Sequence, residues 1–116
     1  PALVWTGVPT GTAELALVVR DDSDGWIHWI VSGIAPTDGA VSAAELPLGS
    51  TEQVNDSGSA AWDPFCPPEG EDHHYSLELM ALPAPAEPFT GDPSADVSNL
   101  ERQASHRSVL TGTYSR

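Results

Sequence analysis

Glu14-Leu-Ala-Leu-Val-Val-Arg-Asp-Asp-Ser-Asp-Gly-Trp-Ile-His-Trp-Ile-Val31 is the stretch that decides the fold. Residues 14–19 form a short apolar run, too brief for a stable helix and rich enough in valine and leucine for a buried strand. Arg20 to Gly25 is polar, ends in glycine and returns the chain. Trp26 to Val31 is a second run of aromatic and β-branched residues. The two runs predict a pair of neighbouring antiparallel strands. Strict alternation along the second would put His28 on the face opposite Ile27 and Trp29.

Working outward, Val8-Pro9-Thr10-Gly11 reads as the turn that feeds the first strand. Residues 35–71 read mostly as loop, dominated by Ala, Gly, Ser, Asp and Pro, and loops of that length are often functional. His74 to Leu82 predicts a third strand, with Tyr75, Leu77, Leu79 and Ala81 on one face and the last three plain core. Pro83 to Pro93 is a proline-rich connection. Residues 94–110 predict the one helix, capped by Asp92 or Ser94 and started by Pro93. Arg102 and Arg107 would lie toward its C-terminal end, with His106 solvated upon it and Gly112 as the stop. Thr111 to Tyr114 reads as a last short strand. Strands at this spacing with one late helix predict a mainly β, antiparallel sandwich with a peripheral helix.

The chain has 116 residues, enough for one core, so residues 1–116 are read as a single domain. Eleven prolines and ten glycines argue for turns and against long helices. Seventeen acidic residues against four basic ones leave a formal net charge of -13. The basic residues are Arg20, Arg102, Arg107 and Arg116. Such a surface repels nucleic-acid phosphates and anionic membranes, which sets nucleic acid aside as a partner. Solubility or adaptation to salt explains the acidity more simply than a docking surface for a basic partner. Cys66 stands alone, so no internal disulfide can form, which is compatible with a cytoplasmic location. No apolar run reaches the ~18 residues of a transmembrane segment. The chain opens on Pro1 rather than methionine, which fits removal of an upstream piece.

Two constellations carry possible chemistry. Asp22-Ser-Asp24 stands at a turn shortly before His28. A carboxylate there can orient the imidazole and raise its pKa, making it a donor for an anionic oxygen. The blander reading is an acidic turn beside a core histidine. The second is Trp62-Asp-Pro-Phe-Cys-Pro-Pro-Glu-Gly70, running into Glu71-Asp-His-His-Tyr75. Its prolines stiffen a loop that could hold a pocket rim. His73 and His74 are adjacent, so on a strand they face opposite ways and one alone can join a given site. His73 is the better candidate, with His74 its outward neighbour. Trp5, Trp26 and Trp29 read as core or pocket-wall aromatics.

Taken in order, these segments resemble the phosphatidylethanolamine-binding protein family, and more closely its bacterial Raf-kinase-inhibitor-like branch. The matching residues are Leu3-Val-Trp-Thr-Gly-Val-Pro9, Leu15-Ala-Leu-Val-Val19, Asp22-Ser-Asp24, His28-Trp29, Cys66-Pro-Pro-Glu-Gly70, His73-His-Tyr75 and Gly112-Thr-Tyr-Ser-Arg116. The resemblance implies a Greek-key β-sandwich whose small surface pocket binds phosphate-like head groups and other small anions. Carried over by motif, the pocket would be lined by Asp22, His28, His73 and Tyr75, walled by Pro67 and Pro68, with Asp24 a weaker contributor. It calls for no cofactor. This chain departs from the pattern at Asp22-Ser-Asp-Gly-Trp26, which lacks the family's two turn prolines. It departs again at His74, where arginine is usual, and at Trp62, where tyrosine is common. The family's first strands precede Pro1, so the expectation is that either this chain is a processed or split piece, or a partner, such as a second copy in a homodimer, covers the exposed sheet edge.

The expected function is therefore non-catalytic binding of a small anion or phospholipid head group such as phosphoethanolamine. Relatives of this family also act by binding and inhibiting protein kinases or a protease, so a protein-interaction module is the first alternative. A metal-binding hydrolase built on His28, His73 and Asp22 is a further rival. No HExxH, CxxC or Gly-x-Ser-x-Gly pattern supports it.

Overall fold

A computed structural model describes residues 2–115, and side chains as far as Thr113. The described residues form seven strands and one helix. They are β1 (Ala2–Trp5), β2 (Glu14–Asp21), β3 (Ile27–Ile34), β4 (Gly39–Ser42), β5 (Thr51–Gln53), β6 (Asp72–Leu82), α1 (Pro93–Gln103) and β7 (His106–Ser115). The larger sheet runs β5-β3-β2-β6-β7 and the smaller pairs β1 with β4. Every pairing is antiparallel. Within the larger sheet, β6 returns to lie beside β2 after β2, β3 and β5 have been laid down in order. That path is a Greek key, and its returning link is the loop after Gln53 that ends in Cys66-Pro-Pro-Glu-Gly70.

β2 is buried on both faces, which explains its unbroken apolar run. Leu15, Leu17 and Val19 meet Trp29, Val31 and, from the smaller sheet, Trp5 and Val41. Ala16 and Val18 meet Ile30, Met80 and Leu82, covered by Val97 and Leu100 of α1. The small sheet therefore covers one face of the central strands, and the helix covers the other. β6 obeys the same alternation: Tyr75, Leu77, Leu79 and Ala81 face the small sheet's side, as the sequence predicts.

Two expectations need correction. The helix starts as read, with Asp92 as N-cap and Pro93 in the first turn, but it ends at Gln103. Ala104 is already extended, at φ -65 and ψ 132. The β-branched residues beyond it pair with β6 from His106 to Ser115 without a break in register. Burying a strand edge along β6 outweighs one more helical turn with little apolar face. His106 and Arg107 thus stand on β7, and Gly112 lies within that strand opposite Tyr75 rather than stopping a helix. Residues 35–71 are mostly loop, as read, and hold two short strands, β4 and β5. Arg116, the end of the last motif, falls outside the described residues.

The second correction concerns His28. Val19 pairs with Trp29, but Arg20 pairs with Ile27. His28 is therefore an extra residue on β3, a bulge, which breaks the alternation there. Ile27 packs toward the helix and Trp29 toward the small sheet. His28 turns to the same side as Trp29, and both rings meet Trp62.

Candidate functional site

The ends of β2, β3 and β6 and the proline loop enclose a pocket of roughly 220 Å³. Its wall includes Asp21, Asp24, His28, Pro67, Pro68, His73 and Tyr75. Six of the seven residues read from the sequence as ligand-binding are brought together: Asp24, His28, Pro67, Pro68, His73 and Tyr75. Asp22 is not. It lies on the helix side, where its Oδ1 accepts a hydrogen bond from Ser76 Oγ at 3.0 Å. Its neighbour Asp21 takes the pocket position, because it continues the odd-numbered face of Leu15, Leu17 and Val19. The register pairs Asp21 with Tyr75.

His73 is buried and held at both ring nitrogens. Nδ1 lies 2.5 Å from Asp21 Oδ2, and Nε2 lies 3.1 Å from Glu71 Oε1. Both contacts favour the imidazolium, so the histidine's pKa is raised, chiefly by the hydrogen bond to Asp21 and next by that to Glu71. The two carboxylates differ. Asp21 is buried and further fixed by the Ser23 N–H. Glu71 has a side chain 58% exposed, on the turn that leaves the proline loop.

His28 is fixed differently. Its Nδ1 is 2.7 Å from the backbone oxygen of Asp63. The ring packs edge-on to Phe65 and Tyr75, with centroids 5.0 and 5.6 Å away. Phe65 in turn stacks on Tyr75. The Asp63 carboxylate accepts from Trp26 Nε1 at 2.9 Å, which ties the loop to the β2–β3 turn. Asp24 Oδ1 accepts from the Trp26 N–H and stabilises that turn, where Gly25 adopts φ 82. Three partners thus escaped the sequence reading: Asp21, Asp63 and Glu71. For Asp21 the signal was present in the alternation of β2. For Asp63 and Glu71 none was, because both act through loop geometry.

Asp21, Asp24 and His73 place ligand-type atoms within 4.8 Å of one another. They do not form the triad expected for a metal, His28, His73 and Asp22, since Asp22 is elsewhere. Asp21 also commits Oδ2 to the His73 ring. The donor set suits a charged histidine held between carboxylates better than a cation between the same groups.

The family model described as phosphatidylethanolamine-binding protein matches residues 1–115. The chain belongs to the phosphatidylethanolamine-binding protein family. Relatives of this family member include YbcL of Escherichia coli K12, 38% identical over 94 residues covering 71% of this chain and 51% of that protein. Another is a candidate lipoprotein of Mycobacterium tuberculosis H37Rv, LppC, 37% identical over 98% of this chain and 59% of LppC. A UPF0098 protein of Methanothermobacter thermautotrophicus is 35% identical over 100% of the chain and 82% of its own length. The chain thus spans little more than half the length of the first two relatives. The crystal structure of E. coli YbcL, described as a member of the mammalian PEBP family, superposes with TM-score 0.86 at 31% identity. That superposition covers 100% of this chain and 79% of YbcL. The two antiparallel sheets and single helix are therefore this family's fold. No helix among the described residues is long and apolar enough to cross a membrane.

Proposed function

We propose that this member of the family binds a small phosphate-type anion, such as a phosphoethanolamine head group, in the pocket of His28 and His73, without catalysing its turnover. The observation that carries the reading is the pair of buried imidazoles at one pocket, each held by a fixed acceptor, Asp21 for His73 and the Asp63 carbonyl for His28. The charged His73 supplies a donor for an anionic oxygen once the exposed Glu71 gives way. Prolines 64, 67 and 68 line the pocket and stiffen its rim, which lowers the ordering cost of binding. The carboxylates of Asp24 and Asp63 offer acceptors to an ammonium group on the same ligand. No lysine or arginine lines the pocket among the described residues, so a transferring phosphoryl group would lack its usual electrostatic support.

Isothermal titration with phosphoethanolamine tests the reading on wild type, His28→Ala and His73→Ala. Weaker binding in both variants, with circular dichroism unchanged, is the expected result. Equal affinity in all three proteins would remove the pocket from consideration.

A further inference from the structure

The larger sheet ends in two edges of different kind. At one end β5 offers three residues, Thr51–Gln53, with Glu52 in the middle. At the other end β7 runs for ten residues, His106–Ser115. Its inner side pairs with β6, and among the described residues no backbone hydrogen bond reaches its outer side. Sheets blunt an open edge by keeping it short, bulging it, or placing lysine or proline on it. β7 has none of these devices: its register is unbroken, and its sequence His106-Arg-Ser-Val-Leu-Thr-Gly-Thr-Tyr-Ser115 holds neither residue. Val109 and Leu110, at its centre, are 54% and 56% exposed.

Charge narrows what can pair there. All seventeen acidic residues lie at or before Glu101, so β7 carries no carboxylate on a chain of net charge -13. An acidic segment from another protein would meet the field of the whole chain, and Arg107, the one arginine within the strand, is already taken by Glu78 and Glu101. A basic segment would find its attraction elsewhere on the surface. The edge itself is nearly neutral. It is an extended stretch on which two such acidic molecules can meet without setting carboxylates opposite one another.

We propose that a second copy of the chain pairs with this edge, β7 against β7, antiparallel about a two-fold axis through Leu110. Opposed residues in such a pair must share a face of the joined sheet. Leu110 then faces the second copy's Leu110, Val109 faces Thr111, Ser108 faces Gly112 and Arg107 faces Thr113. The two Arg107 side chains stand six residues apart along the pair, about 20 Å, so like charges do not oppose each other. On the small-sheet side, Gly112 leaves open space beside a cavity of roughly 170 Å³ lined by Phe65, Tyr75, Leu77 and Leu110. The second copy's Leu110 is the diagonal neighbour of Gly112 and fills that space. The joined sheet takes five strands from each copy.

Sedimentation velocity on the full chain, from micromolar to millimolar concentration and at low and high salt, tests the pairing. A monomer–dimer equilibrium is expected, and it should tighten as salt screens the charge that both copies carry. Leu110→Lys sets two ammonium groups face to face and should weaken association at least about tenfold. Leu48→Lys makes the same change in net charge at a residue 97% exposed in the turn before β5, and should leave association no weaker than in wild type. Amide hydrogen exchange on the wild type needs no substitution: β7 amides should gain protection with rising concentration while those of β5 do not. A chain monomeric at every concentration, a dimer that survives Leu110→Lys, or association that weakens as salt is added would overturn the proposal.

Discussion

Two buried side chains of strand β6, His73 and Glu78, form ion pairs on opposite faces of the sheet, and the sheet treats them differently. Glu78 points to the helix side. Arg107 of β7 donates to it through Nε at 2.6 Å, Arg20 of β2 lies 3.7 Å away, and both arginines also reach Glu101 of α1. Burial pushes its carboxyl above the usual range, while Arg107 pulls it back. The cluster joins four elements, β2, β6, β7 and α1, and its charges answer one another within the chain. His73 points to the other side. One nitrogen is answered by buried Asp21, the other only by exposed Glu71 at the mouth of a pocket. A buried charge answered from within ties elements together. A buried charge whose last partner is a replaceable surface carboxylate is available to a ligand.

Breaking the helix-side cluster should have the largest effect and leave the pocket alone. Arg107→Ala leaves Glu78 short of its main partner and is expected to lower the unfolding free energy by about 2 kcal/mol. Urea denaturation measures that loss, and titration should show phosphate affinity within about twofold of wild type. A matching loss of affinity would mean that the two faces are not independent.

The adjacent aspartates sharpen the contrast. Asp21→Asn weakens the hold on the His73 imidazolium and should reduce phosphate affinity roughly tenfold. Asp22→Asn touches only the Ser76 contact on the far face and should leave affinity unchanged in the same titration.

The pH dependence of stability follows from His73. Its pKa is raised above the ordinary 6.5, so the folded state holds this proton more tightly than the unfolded one. The stabilisation is fully present below pH 6.5 and is lost as pH rises through the higher folded value. The stability difference between wild type and His73→Gln should therefore shrink with rising pH across that window in parallel urea titrations. A difference that grows with pH would reverse the assignment of charge. The smallest effect is expected from Glu71→Gln. Removing an exposed competing carboxylate should strengthen phosphate binding by only about two- to threefold, an effect that salt reduces.

The same contrast shows what the sequence makes legible. Alternation along β6 separates His73 and Tyr75 from their neighbours, and the structure keeps that separation. Continued along β2, alternation points to Asp21, yet the turn motif drew attention to Asp22, one residue into the wrong face. His28 defeats periodicity altogether, because the bulge at its position is set by pairing with β2 and has no local signature. The helix end was missed for a related reason: Arg107 suits a helix C-terminus by charge, but β6 offers it an edge and Glu78. Asp63 and Glu71 become visible only when the loop's path is known.

The central claim is that phosphate-type anions enter at His28 and His73 and not at the arginine cluster across the sheet. Titrating wild-type protein with inorganic phosphate near pH 6, followed by ring ¹⁵N shifts of the histidines and side-chain shifts of Arg20 and Arg107, tests it most directly. Saturable changes at His28 and His73, with the two arginines unmoved, are the predicted result. Saturable changes at Arg20 and Arg107 with silent histidines, or no saturation anywhere, would contradict it.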